Sequence, residues 1–134
     1  MEISLDDDIT YINRMREEIA KAENTPNDIE PLRRYSAADF VLMLEGMIPV
    51  LGQENALNLM QRLWSVFDVK ITYHSEEVKI TGNTALDRGW AKERLMNRST
   101  GEVIENFYNY LWVNCRDMNG TWKQTHVICN KRPS

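Results

Sequence analysis

A chain of 134 residues, 43% apolar and 27% charged, has the size and composition of one globular domain spanning 1–134. Its formal net charge of −4 argues against the clustered cationic surface that nucleic acid requires, so no nucleic-acid partner is expected. No apolar run approaches the roughly 18 residues of a membrane helix. The acidic start, Met1 to Asp8, lacks the basic and apolar segments of a secretory signal, so a cytoplasmic protein with no membrane partner is the expectation.

Residues 4–23 read as a first helix. Ser4 and Asp7 resemble a capping box, and Asp6, Asp7 and Asp8 suit the positive end of a helix as a solvated start. Ile9, Ile12, Met15, Ile19 and Ala22 form one apolar stripe at spacings of three and four. After a break at Asn24-Thr25-Pro26-Asn27, a short helix over 28–34 carries Ile29 and Leu32, with Pro31 confined to its first turn. The apolar run inside Asp39–Glu45 reads as a first strand. Gly46 and Pro49 end it, and Gly52 leads into a third helix over 53–67. Val69, Ile71 and Tyr73 then alternate with Lys70, Thr72 and His74, the period of a strand. Gly82-Asn83 turns the chain into a strand over 84–97, and Ser99-Thr100-Gly101 turns it again into a long strand ending near Asp117. This order predicts an α+β fold: a curved antiparallel sheet packed against three N-terminal helices.

The last two strands flank Asn119-Gly120, a strong hairpin signal that predicts a type I′ turn. In that register, residues whose numbers sum to 239 face each other. One sheet face then carries Asn109, Leu111, Val113, Cys115, Trp122, Gln124, His126 and Ile128. The other carries Tyr110, Trp112, Asn114, Arg116, Lys123, Thr125, Val127 and Cys129. Cys115 and Cys129 fall on opposite faces, about five residues apart at ~3.3 Å each, too far for a disulfide. Two free thiols fit a reducing compartment. With two His and no paired-ligand spacing, no metal site is expected, and no cofactor either.

Several motifs, in this order, resemble the nuclear transport factor two-like superfamily in its SnoaL-like, ketosteroid isomerase-like branch. They are the amphipathic first helix, Asn27-Asp28, Tyr35 with Asp39-Phe40, Gly52-Gln53-Glu54-Asn55-Ala56, Gly82-Asn83-Thr84-Ala85, Tyr110-Leu111-Trp112-Val113 and Asn119-Gly120-Thr121-Trp122-Lys123. The resemblance implies that the curved sheet is cone-shaped, with a homodimer formed through it and an apolar pocket between sheet and helices. It does not carry over the ketosteroid isomerase residues: Met43 stands where that enzyme has its catalytic Asp, Ile19 near its Tyr, and Asn109 near its second Asp.

Among the candidates for chemistry, His126 shares its expected face with apolar walls and can act as a base or hydrogen-bond a ligand. Asp87 is its expected partner. If the loop at 99–101 pairs Asp87 with Val113, then Asp87, Val113 and His126 form one row across three strands. A loop one residue different puts Asp87 on the other face. Ala85, Asp87, Gly89 and Ala91 share a face whose small residues leave volume for a pocket. The expected pocket holds His126, Gln124, Asn109 and Asp87 as polar groups, with Val113, Met43, Ile12, Met15 and Ile19 as walls. Two functions fit. One is a domain binding a small apolar or amphipathic molecule. The alternative is an isomerase, dehydratase or cyclase-type enzyme using His126 and Asp87 as acid and base. The homodimer is expected to use Tyr110, Trp112 and Val127 on the outward face.

Overall fold

The computed structural model describes residues 5–134. Three helices, α1 (Leu5–Glu23), α2 (Ile29–Tyr35) and α3 (Gln53–Val66), accompany six strands. The strands are β1 (Ser36–Leu44), β2 (Val50–Leu51), β3 (Phe67–Thr81), β4 (Thr84–Asn97), β5 (Val103–Arg116) and β6 (Trp122–Lys131). They form one sheet in the order β2-β1-β6-β5-β4-β3. The sheet is mixed, because β1 runs parallel to β6. The two-residue strand β2, on the edge beside β1, is too short to announce itself in the sequence.

Each helix forms for a local reason. The stripe of α1 buries Ile12, Met15 and Ile19 against Ile71, Ala85, Tyr110 and Trp112. Asp28 caps α2, its side chain accepting from the Glu30 amide at 3.1 Å. α3 closes the layer, packing Ala56 on Phe40 and Leu42, and Trp64 on Val69 and Leu95. The proposed capping residue Ser4 lies outside the described residues. Asp8 is not part of a solvated start. It is buried, accepts from Trp122 Nε1 at 3.1 Å and pairs with Arg116, tying the front of α1 to the final hairpin.

That hairpin departs from the expected turn. Asn119 has no positive φ, whereas Gly120 sits at φ 77°. The Asp117 amide donates to the Thr121 carbonyl, and the Gly120 amide to the Asp117 carbonyl. This is a three-residue loop ending in a left-handed glycine, so Arg116 faces Trp122 and Asn114 faces Gln124. Between Gln124 and His126 the register shifts again. The extra residue, Thr125, is a bulge. Beyond it Val113 faces His126 and Tyr110 faces Cys129, the pairs expected from sequence.

The two irregularities cancel in the register but not in the side-chain parity. Trp122 and Gln124 share the helix-facing side with Val127 and Cys129, and with Tyr110, Trp112 and Asn114 on β5. His126, Ile128, Leu111 and Val113 point to the outer face. Tyr110 and Trp112 are therefore core residues at 3% and 2% exposure, and Val127 lines the interior. None of the three is available to an outward dimer surface.

Candidate functional site

A cavity of about 390 Å³ lies between the concave sheet face and the helices. Phe40 and Leu42 of β1, Leu57 and Leu63 of α3, Ile71 of β3 and Val127 of β6 supply much of its wall. Ala91 of β4 supplies no bulk at its floor, which helps leave the volume open. The cavity is predominantly apolar, and its size is that of a small-molecule site.

The polar groups gather mainly at one end. Glu23, the last residue of α1, follows Ile19 by four and so points the same way, into the cavity. Its Oε1 accepts a hydrogen bond from the Tyr73 hydroxyl at 2.5 Å. Glu93 on β4 accepts from the Tyr108 hydroxyl and the Asn106 amide, each at 3.2 Å. Cys129 on β6 completes the group. Burial pushes the Glu23 carboxyl up to about 7, against the pull of the Tyr73 hydrogen bond, and the nearby Glu93 charge pushes the same way. The side chain keeps partial accessibility because it faces the cavity. Burial first, and the two carboxylates second, push the Cys129 thiol up to about 12. A thiol held that high is not a nucleophile near neutral pH. The Tyr73 and Tyr108 hydroxyls are raised for the same reasons and stay protonated donors.

A second polar group sits behind the cavity wall. Asp87, fully buried, accepts from Arg16 Nε at 2.7 Å, Ser75 Oγ at 2.7 Å and the Tyr110 hydroxyl at 3.1 Å. The Tyr110 ring lines the cavity while its hydroxyl faces away toward Asp87. Asp87 itself does not reach the cavity.

The residues expected from sequence divide accordingly. Gln124 and Ile19 line the cavity. Ile12 and Met15 are fully buried beneath α1 but are not lining residues. Met43 alternates with the lining residues Leu42 and Leu44 and falls on the other side of β1. Asn109 is exposed, bonded to Asn130 at 2.9 Å and to Arg132 at 3.3 Å. Val113 and His126 face outward, with His126 Nδ1 3.0 Å from Thr125 Oγ1. Val113 does stand between His126 and a β4 residue, but that residue is Leu86. Asp87 pairs with Trp112 instead, so the row joining Asp87 to His126 does not form. His126 and Asp87 lie on opposite faces and cannot share a ligand.

Sequence reasoning missed Glu23, Tyr73, Glu93 and Cys129. Three of them carried a usable signal. Glu23 extends the α1 stripe by one turn, Glu93 continues the small-residue face of β4 by one step, and Tyr73 belongs to the alternation with Val69 and Ile71.

No family model matches this chain, and no curated protein does. Solved structures do. A conserved protein from Planctomyces limnophilus superposes with a TM-score of 0.85 at 20% identity, over 93% of this chain and 98% of the other. A nuclear transport factor two-like superfamily protein from Salmonella enterica gives 0.83 at 11% identity, over 93% and 91%. A hexachlorocyclohexane dehydrochlorinase from Novosphingobium barchaimii gives 0.78 at 15% identity, over 90% and 84%. The chain therefore has the nuclear transport factor two-like fold, which SnoaL-like and ketosteroid isomerase-like proteins share. Identities this low establish the fold alone.

Proposed function

We propose that this nuclear transport factor two-like fold serves as a SnoaL-like domain that binds a small apolar or amphipathic molecule. The observation that carries the reading is the cavity itself: about 390 Å³ with apolar walls and its titratable groups collected toward one end. Such an arrangement buries the body of a ligand and orients it by a few hydrogen bonds. Titration with the neutral fluorophore N-phenylnaphthylamine tests it. Saturable binding at one site per chain is expected, with loss of that binding in Ala91→Phe and Ala56→Phe, which place a ring in the cavity. Absence of saturable binding to the native chain would overturn the reading.

Glu23 favours a second reading, as an enzyme of the isomerase or dehydratase type. A carboxyl with a pKa of about 7 can both take and return a proton at neutral pH. Glu23 is the acid/base group on this reading, and Tyr73 is the donor that orients it.

The assembly we propose is a homodimer formed through the outer sheet face. Leu86, half-exposed, pairs with Val113, and Leu111 pairs with Ile128, giving a contiguous apolar surface there. Light scattering at micromolar concentration tests it, with twice the 15.7 kDa chain mass expected. No helix among the described residues is long and apolar enough to cross a membrane. The two free cysteines support a reducing compartment such as the cytoplasm.

A further inference from the structure

The charges at the polar end of the cavity are unbalanced. Its lining holds two half-buried carboxyl groups, Glu23 and Glu93, while the other charged lining residues, Glu45 and Lys131, are exposed to solvent. The ion pairs among the described residues all use other carboxylates. Glu23 and Glu93 are held by neutral hydroxyl and amide donors, each through Oε1. Glu45, exposed, accepts the backbone amide of Lys131 at 3.1 Å. Carboxylates inside an apolar shell are costly unless a positive charge meets them. Elsewhere among the described residues the buried carboxylates meet that requirement: Asp87 has Arg16, and Asp8 has Arg116. Among the described residues, Glu23 and Glu93 have no such partner.

Two further observations point to a ligand. Aromatic rings, those of Tyr73, Tyr108, Tyr110 and Trp112, line the same cavity, and their faces attract a cation. At the opposite end, Gln124 is 7% exposed, lines the cavity, and its Nε2 has no hydrogen-bond partner. A buried donor of this kind awaits an acceptor. Along β5 the two ends lie six residues apart, from the Tyr108 row to the Asn114 row, or about 20 Å of strand.

Resting on the binding reading above, we propose that the ligand of this cavity is an amphipathic organic cation. Its protonated amine sits between Glu23 and Glu93, and its apolar body lies along the wall of Leu42, Ile71 and Val127. The amine donates to the free Oε2 atoms of the two carboxylates. Anionic ligands are excluded by the same pair.

Three probes with one body and different head groups decide the matter: phenylbutylamine, phenylbutanol and phenylbutyrate, titrated calorimetrically into the intact chain. The amine is expected to bind about tenfold more tightly than the alcohol, and the carboxylate more weakly than both. Glu93→Gln is expected to weaken the amine about fivefold and leave the alcohol within about twofold. Amine affinity also rises with pH through about 7, as Glu23 ionises. Of the titratable groups lining the cavity, Tyr73 of β3 donates to Glu23, the charge of Glu93 on β4 acts on it, and Cys129 of β6 feels its charge; Tyr108 of β5 and the exposed Glu45 and Lys131 line the same cavity. Alcohol binding equal to or tighter than amine binding, or a preference for the carboxylate, overturns the cation inference. If the alcohol and the neutral fluorophore still bind in that case, the cavity reading stands by itself. If no probe and no fluorophore binds, both fall. The head-group ranking is read on the native chain, so it does not depend on any variant folding.

Discussion

Glu23→Gln separates charge from shape at the heart of the cavity. Glutamine keeps an acceptor for the Tyr73 hydroxyl and nearly the same volume, but it cannot ionise. Burial holds the native carboxyl at a folded pKa of about 7, against the ordinary 4.5 of the unfolded chain. The fold therefore binds this proton more tightly than the unfolded chain does. By linkage, that stabilisation is fully present below the unfolded value and is lost as pH rises through the folded one. A difference of this size corresponds to about 3 kcal/mol at ~1.36 kcal/mol per pKa unit, an order-of-magnitude figure. Glutamine mimics the protonated state at every pH. The variant should thus match the native chain at about pH 4 and exceed it by about 2–3 kcal/mol at about pH 8. For a domain of this length that is a gain of about 6–12 °C in melting temperature. Urea unfolding of both proteins across this range measures it, with equal m-values confirming that the unfolded states are comparable. A native-minus-variant difference that does not change with pH would refute the assignment, because Glu23 would then be ionised in an environment no different from water.

Other outcomes follow from the same contacts. Asp87→Ala leaves Arg16, Ser75 and Tyr110 without their acceptor, and breaking a buried ion pair of this kind costs about 3–5 kcal/mol. Chemical denaturation should show that loss, while Asp87→Asn, which retains an acceptor, should lose clearly less. Gly89→Ala should be more damaging than its one methyl group implies. The added Cβ would lie 2.0 Å from the His74 carbonyl oxygen and 2.9 Å from the Ser75 Cα, both backbone atoms beside the β3 bulge. Loss of several kcal/mol, or failure to accumulate folded protein, is expected. A thermal shift near zero would mean that β3 and β4 are not in this register. Cys129, its thiol pushed up to about 12, should react with a disulfide reagent far more slowly than a model thiol at neutral pH, and urea should abolish the protection.

Much of the architecture was readable in one dimension because it rests on local periodicity. The stripe at Ile12, Met15 and Ile19 can bury itself only as a helix, and it does. The span of β4, 84–97, emerges as expected because turn residues bound it on both sides. The small-residue face of Ala85, Asp87, Gly89 and Ala91 was likewise legible, and it is buried throughout.

What no local pattern determined was which face of β5 and β6 turns inward. Strand side chains alternate with a period of two, so one inserted residue reverses every assignment beyond it. Here a three-residue loop at Met118–Gly120 and a bulge at Thr125 each insert one. Their effects cancel in the pairing of Val113 with His126, but between them they leave Trp122 and Gln124 on the same side as Val127 and Cys129. The loop after β4 is one residue away from the spacing that would set Asp87 beside Val113, and that single step sends Asp87 inward while His126 stays outside. The choice is made by packing: Tyr110 and Trp112 find Ile12, Met15 and Tyr73 only on the helix side, and burying those rings outweighs any preference of the turn. The composition of the strands and helices was therefore written in their sequence. The meeting of Glu23 with Tyr73, 50 residues apart in the chain, and with Glu93, came only from the way α1 lies across the sheet.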